Sequence, residues 1–325
     1  MFDLRQLAVL DAIARTGSLA AAARDLHYGQ PTISHHLRAL ERHLDSELVV
    51  SSATGTTLTA AGELMLEHAR AVLTRLRVAA RDVAELGQSG GPVLRMGTFE
   101  SAGARLLPQV LAKLGTGRTV QVELVEGEPL GLQEQLLDGS LHCALLYDLD
   151  GDTSVTDAAL RQRTLEREPF RIMLGADHPL AEREVIDLAD LAEADWIRSR
   201  SVLEASERAL LTAAGAAGFV PNTLLQSEDY SLVHAFVAAG VGVGLIVESA
   251  VDTRYRVVAR PTVQDLGMRR VRFVATATPE PGRAAALARL EELLIEAAEV
   301  NPAASMGSMT TFVDERGSIA NTSPS

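Results

Sequence analysis

Along the first 44 residues apolar positions recur at three- and four-residue intervals in three short runs, which predicts three helices. In the first, Leu4, Leu7, Leu10, Ile13 and Ala14 form the apolar side, and Asp3 can cap it with Gln6 three residues on. Thr16-Gly17 ends it. Ser18 caps the second, LAAAARDLH, where Ala20 to Ala23 are small enough for another helix to cross closely. After a break at Tyr28-Gly29, Pro31 sits where the first turn of a third helix tolerates it, because that turn has no partner for the missing N–H. At roughly 100° per residue, Ile33, Leu37, Leu40 and Leu44 fall in one stripe of this helix. Pro31, His35, Arg38 and Arg42 fall opposite, with Ser34 flanking them. A packed stripe backed by a basic, hydrogen-bonding face, after a small-residue helix and a tight turn, is the pattern of a helix-turn-helix that reads the DNA major groove. A solvated helix of an ordinary bundle fits the same composition. His36 and His43 lie nearer the apolar stripe, where packing or capping is expected of them.

The period then changes. ELVVSSATGTTLT sets β-branched runs on either side of Ala53-Thr54-Gly55, a hairpin signal, so residues 1–60 read as a winged helix-turn-helix, all-α with a small wing. From Thr59, a good N-cap, one long helix runs to Gly87. Its seam of Leu64, Ala69, Val72, Leu76, Val83 and Leu86 predicts a linker and dimerisation helix over 61–91. QSGGP, residues 88 to 92, marks a boundary. Beyond it strand and helix alternate through VLRMGTF, LLPQVLAKL, VQVELVEG, LGLQEQLLDG and CALLYD. The theme repeats from FRIMLG through DWI, VGVGLIV and RVRFVAT to a closing helix near Ala284 to Val300. That alternation predicts βαβ units around a mostly parallel sheet, α/β overall. Residues 301–325 are small and polar without period and are expected to be disordered.

Composition narrows the function. A chain of 325 residues with 47% hydrophobic content can bury a real core, divided into two or three domains. No apolar run approaches the roughly 18 residues of a membrane span, and Asp3 and Arg5 interrupt the start where a secretory signal would be apolar, so a cytoplasmic location is expected. The formal charge of −13 argues against general polyanion binding. Even residues 1–60 are nearly neutral, with five arginines against six carboxylates, and four histidines distinguish them. Cys143, the single cysteine, lies in the apolar run LHCALLY. It excludes an internal disulfide or a multi-cysteine metal site and reads as inert packing.

LRQLAVLDAIARTGSLAAAARDLHYGQPTISHHLRALERHLDSELVV, continuing into LTAAGELMLEHAR, resembles the LysR-type transcriptional regulators. LVEGEP, EPFRIMLGADHPLA, DLADLAEADWI, AAGFVP and VAAGVGVGLI resemble that family's effector domain, so the likeness runs over residues 1–298. It implies a periplasmic-binding-protein-like effector domain over 92–300. Subdomain one would be 92–163 plus 266–300 and subdomain two 164–265, joined by two crossing strands around a small-molecule cleft. The implied partners are double-stranded operator DNA, a small-molecule effector, a second copy in a homodimer or homotetramer, and RNA polymerase, with no cofactor and no membrane. Gln30 and Pro31 match the family's base-contacting pair, glutamine suiting adenine and the proline ring a thymine methyl. Ser34 and Arg38 match contact positions, and Thr32 and Arg42 share the surface. His35 departs from the usual arginine. Because histidine gains charge near neutrality, operator binding is expected to tighten as pH falls from about 7.5 to 6. At the wing Val50-Ser51-Ser52 replaces the usual arginine, which points to modest affinity per protomer, offset by tetramerisation.

In α/β folds ligands sit at strand ends, against helix N-termini. Thr98, Glu100 and Ser101 after the first effector-domain strand, Tyr147 after CALLY, and Ser199 and Ser201 after DWI are therefore the candidate effector contacts, with helix capping as the plainer role for each. A carboxylate such as Glu100 at the cleft mouth would oppose an anion and favours a ligand with an amine or hydroxyl group. GVGVGL, residues 240 to 245, enters a strand and lacks the dinucleotide spacing, so it reads as a turn. His142, His178 and His234 lack metal-ligand spacing, and nothing requires catalysis. An NAD-type oxidoreductase is the alternative that the α/β repeat and the glycine cluster leave open, and a solute carrier is disfavoured by the missing export signal.

Overall fold

Residues 3–52, 55–85, 92–115, 120–152 and 157–300 are described by the computed structural model. The expected disordered tail 301–325, residues 88 to 91 of the boundary, Leu86 and Gly87 at the end of the expected long helix, and the hairpin tip Ala53-Thr54 lie outside the described residues. So do the side chains of Ser51 and Ser52, on which wing contacts turn.

Helix α1 (Leu4–Thr16) begins with the reciprocal cap its sequence announces: the Gln6 N–H donates to the Asp3 carboxylate at 3.0 Å, and the Asp3 N–H to Gln6 Oε1 at 2.9 Å. It stops at Gly17, whose φ of 72° is the left-handed conformation that glycine adopts freely. Ser18 caps α2 (Leu19–Asp25), and α3 (Gln30–Leu44) starts from Gly29 with Pro31 in its first turn. Ile33 and Leu37 of α3 join Val9, Ile13, Ala22 and Ala23 in one core, while Leu40 meets Leu10, Leu48 and Leu66 in a second. Each such side chain contributes roughly 1.5–3 kcal/mol on burial. Strands β1 (Val49–Ser52) and β2 (Gly55–Leu58) pair antiparallel as the wing.

The start of the long helix α4 (Ala60–Glu85) is fixed by three contacts made by Thr59 and Gly62 of LTAAG. The Thr59 hydroxyl donates to the Glu47 carbonyl at 2.7 Å and accepts the Gly62 N–H at 3.0 Å. Gly62 lies so close to β1 that a Cβ there would fall 2.0 Å from the Leu48 carbonyl oxygen. The helix thus enters through a gap that only glycine leaves open.

In the remaining chain β3 (Val93–Thr98), α5 (Glu100–Leu114), β4 (Gln121–Glu126), α6 (Pro129–Leu137) and β5 (Cys143–Leu149) form a parallel unit, completed by α9 (Pro281–Val300) packed on α5. A second unit holds β7 (Asp195–Arg198), α7 (Ala205–Ala216), β8 (Asn222–Gln226), α8 (Tyr230–Ala238), β9 (Val243–Val247) and β10 (Val257–Arg260). Two long antiparallel strands, β6 (Leu160–Gly175) and β11 (Met268–Thr276), join the units into one sheet ordered β4-β3-β5-β11-β6-β9-β7-β8, with β10 on β6. The cores are separate: Leu94, Met96, Leu106, Phe273 and Leu290 belong to one lobe, Ile172, Leu188, Trp196 and Leu210 to the other. Strand β6 serves both, packing Leu165 on the first core and Phe170 in the second, so a division after residue 163 falls inside an unbroken strand. Gly240, with φ of 72°, makes the tight turn from α8 into β9.

Candidate functional site

Two surfaces carry polar chemistry. On α3 the apolar stripe is buried, and Gln30, Pro31, Thr32, His35, Arg38 and Arg42 are all exposed on the outer side, with Ser34 half-buried at its edge. No ion pair among the described residues engages Arg38 or Arg42. Other nearby arginines are tied down: Arg15 to Asp25 at 2.6 Å and Arg70 to Asp11 at 2.8 Å. Glu41, the acid of the Leu-Glu pair ending the recognition segment, accepts the Leu48 N–H at 3.0 Å and so pins the wing to the helix. Its charge is turned away from the outer face by that role. His36 is half-buried beside Tyr28, with ring centres 6.2 Å apart. His43 is exposed in the last turn of α3, so of the packing or capping expected of it burial in the core is not the one observed.

The second surface is a cavity of about 720 Å³ between the lobes, at the strand ends where α5, α6, α7 and α8 begin. Phe99, Phe170, Met173, Ile197, Val233 and Ile246 supply its apolar wall. Of the six residues nominated from the sequence, Glu100, Tyr147 and Ser199 line it. Thr98 does not: it is buried at the end of β3, its hydroxyl donating to the Phe99 carbonyl at 3.2 Å. Ser101 points instead to the floor and accepts from Arg269 Nη1 at 3.1 Å. Ser201 turns back on its own loop, accepting the Leu203 N–H at 3.3 Å. Thr98 is still in the strand, Ser201 lies in the loop before α7 and Ser101 is one helical residue past the lining Glu100, differences of a residue or two that strand-end reasoning does not resolve.

Sequence reasoning missed most of the polar lining: Glu126, Glu128, Arg198, Glu228, Asp229 and Tyr230. The signal was present, since the rule that nominated Thr98 to Ser101 also picks out the ends of VQVELVEG and TLLQS. Tyr147 Oη lies 3.1 Å from Glu128 Oε2 and hydrogen-bonds Glu204. One hydroxyl has one proton to give, so Tyr147 can donate fully to only one of the two acids at a time. Burial first, then the nearby Glu128 and Glu228 charges, push the Glu204 carboxyl up to about 7 against the opposing Tyr147 hydrogen bond. Glu100 is raised as well, by burial above all, although it accepts the Tyr230 N–H. Arg198, the basic side chain in the lining, is held by the buried Glu207 and donates to Thr223 at 2.6 Å.

Beneath the cavity, Arg269 of β11 is buried against Glu168 of β6 at 2.5 Å, with its guanidinium 5.2 Å from the Phe99 ring centre and 5.6 Å from that of Tyr147. Ser249 of the second lobe also donates to Glu168. The cleft floor and the crossing strands therefore share one buried ion pair. A second cluster ties the first lobe to α4. Buried Arg95 reaches Asp82 at 2.7 Å and Glu85 at 2.6 Å, and Arg283 meets the same two acids at 2.9 and 3.0 Å. His142 accepts the Arg95 N–H at 3.0 Å, and burial together with the two arginines drives its imidazole down to about 3, so it stays neutral. Cys143 is fully buried and its thiol is pushed up to about 12 by that burial, which leaves it unreactive. Among the described residues no group of acids, histidines or cysteines is placed to hold a metal ion, and no helix is long and apolar enough to cross a membrane.

A winged helix carrying an exposed basic reading face, joined by one helix to a hinged two-lobed cleft, defines a DNA-binding protein with a built-in small-molecule receptor. Comparison with known proteins agrees part by part. Residues 4–63 match the bacterial regulatory helix-turn-helix protein family of LysR type, and residues 87–298 match the LysR substrate-binding domain. The small neutral protease regulatory protein of Streptomyces coelicolor is 32% identical over 268 residues, covering 82% of this chain and 80% of that protein. The transcriptional regulator AlsR of Bacillus subtilis is 27% identical over 261 residues, covering 78% of this chain and 85% of its own. The crystal structure of full-length CbnR in complex with its target DNA shares the fold, with a TM-score of 0.61 at 22% identity over 91% of this chain and all of that one. The chain belongs to the LysR family of transcriptional regulators, and is a ligand-responsive DNA-binding regulator, not an enzyme.

Proposed function

We propose that α3 enters the major groove of operator DNA with Gln30 and Pro31 against base edges, Ser34, His35 and Arg38 beside them, and Thr32 and Arg42 at the rim. The observation that carries this reading is the clean division of α3, whose apolar stripe is buried while the outer polar side chains stand exposed without competing carboxylates. An effector seated in the inter-lobe cavity alters closure about β6 and β11, and the Arg95 and Arg283 contacts pass that change to α4. Allostery of this kind needs an effector that binds the two arrangements unequally, typically by about 1–3 kcal/mol. Val72, Leu76 and Val83 are exposed on α4 within about 40° of one another, which supports a homodimer through that helix, and a homotetramer on paired half-sites. The protein works in the cytoplasm, where RNA polymerase is its further partner.

The test uses an operator recovered by in-vitro selection. Gln30→Ala and Arg38→Ala should each weaken operator binding roughly tenfold or more while the thermal unfolding profile stays that of the parent protein. Unchanged binding in both variants would remove α3 from the DNA interface.

A further inference from the structure

We propose that the inter-lobe cavity takes a small organic cation, an ammonium or guanidinium carried on an apolar skeleton; this rests on the reading of that cavity as the effector site. Four helices of nine or more residues begin at its edge, and bare helix starts offer N–H groups and partial positive charge to anions. In this chain an acid of its own stands at each start, and at α8 it caps the helix. Glu100 is the first residue of α5, and Glu128, Glu204 and Asp229 are the N-caps of α6, α7 and α8. Asp229 accepts the Leu232 N–H at 3.0 Å, and Glu100 the Tyr230 N–H. Glu128 and Glu204 make no hydrogen bond to the first N–H groups of α6 and α7, so at those starts an anion is opposed by the charge of the surrounding acids and not by capped donors.

Among the described residues no unpaired cation offsets them within the cavity. Arg198, the basic residue of the lining, is held by buried Glu207, and Arg269 below the floor is neutralised by Glu168. An anion would therefore meet a wall of like charge, whereas a cation would meet acceptors. The acids are not grouped to bind a metal ion. They are spread around a cavity of about 720 Å³ opposite the rings of Phe99, Tyr147 and Phe170, a volume and lining suited to an organic skeleton with a charged end. Tyr147 joins Glu128 to Glu204, so a ligand cation seated there replaces a shared proton with its own N–H donors.

Thermal shift and titration calorimetry on the full chain test this with three probes: phenethylamine, agmatine, and 3-phenylpropionate, which has the phenylethyl skeleton of the first with the opposite charge. At least one amine should raise Tm saturably below about 10 mM, and 3-phenylpropionate should not. The Glu128→Gln/Glu228→Gln double variant, which keeps side-chain volume, should bind that amine at least about tenfold more weakly. Preference for 3-phenylpropionate, failure of both amines to bind, or amine binding indifferent to the double variant overturns the charge class. Val233→Trp, which fills the cavity, separates the two readings. If 3-phenylpropionate binds and Val233→Trp abolishes it, the cavity remains the effector site and only the cation is wrong. If a probe binds and is unaffected by Val233→Trp, the effector-site reading itself fails.

Discussion

On the outer face of α3 the arginines stand open and the neighbouring acids are consumed by structure, whereas around the cleft the arginines are paired with acids and the lining acids have no cation of their own. Glu41 holds the Leu48 N–H, and Asp25 and Asp11 hold Arg15 and Arg70, which leaves Arg38 and Arg42 facing outward. In the cleft Glu207 holds Arg198 and Glu168 holds Arg269, whereas among the described residues the acids of the lining have no cation: Glu228 accepts the Ser199 hydroxyl at 2.8 Å and the Arg200 N–H at 2.7 Å, and Asp229 the Leu232 N–H. The formal charge of −13 conceals both outcomes. What a partner meets is decided by which charges are already paired, and pairing is a property of the fold.

The largest effect should come from breaking the pair under the cleft. Arg269→Met takes from buried Glu168 its nearest cation, leaving it Arg105 at 3.7 Å, and should cost about 3 kcal/mol or more in chemical denaturation of the cleft domain. A loss below about 1 kcal/mol would mean that water reaches the pair and the floor is not dry. On the other surface Arg38→Glu should weaken operator binding roughly 100-fold, equivalent to about 2.7 kcal/mol, without lowering Tm, since among the described residues no ion pair engages Arg38. A matching fall in Tm would show that Arg38 is structural. Between the two regions, Gly62→Ala drives a methyl into the Leu48 carbonyl and should destabilise the winged helix by about 1–3 kcal/mol, read by circular dichroism. Normal stability would mean that α4 shifts cheaply.

The smallest effect is a pH dependence. Glu204, faced by Tyr147, Glu128 and Glu228, keeps its proton to about pH 7 when folded but ionises near the ordinary carboxylate range when unfolded. The folded state then binds the extra proton, so stability from this group is full below the unfolded value and is lost as pH rises through about 7. Glu204→Gln removes that loss. Its Tm relative to the parent should therefore rise from pH 5 to pH 8, by roughly 2–4 °C given screening at the open cavity. A constant difference across that range would show that Glu204 is ionised throughout.

The two regions also differ in how much of them the sequence makes readable. The caps at Asp3 and Ser18, the stripe of α3, the wing and the role of Gly240 all follow from residues within a few positions of one another, where periodicity and capping rules apply. Even Thr59 and Gly62 were visible as a motif, although their reason, the approach to Leu48, lies across the fold. The cleft was half legible. Strand-end logic reached Glu100, Tyr147 and Ser199, yet it also chose Thr98, Ser101 and Ser201, whose side chains turn to the backbone or the floor. The acids of the far wall come from helix starts that are distant in sequence and meet only when two lobes close on one sheet.

The order of amino acids by itself determined the winged helix, the face of α3 turned outward, the long connecting helix and the α/β class, because each depends on local period, capping and turn chemistry. Tertiary structure alone decided which charges remain available: the pairings Arg269 with Glu168, Arg198 with Glu207, and Arg95 and Arg283 with Asp82 and Glu85. Charge pairing acts over a few ångströms of space irrespective of distance along the chain, so it is fixed only once the lobes, the crossing strands and α4 are in place.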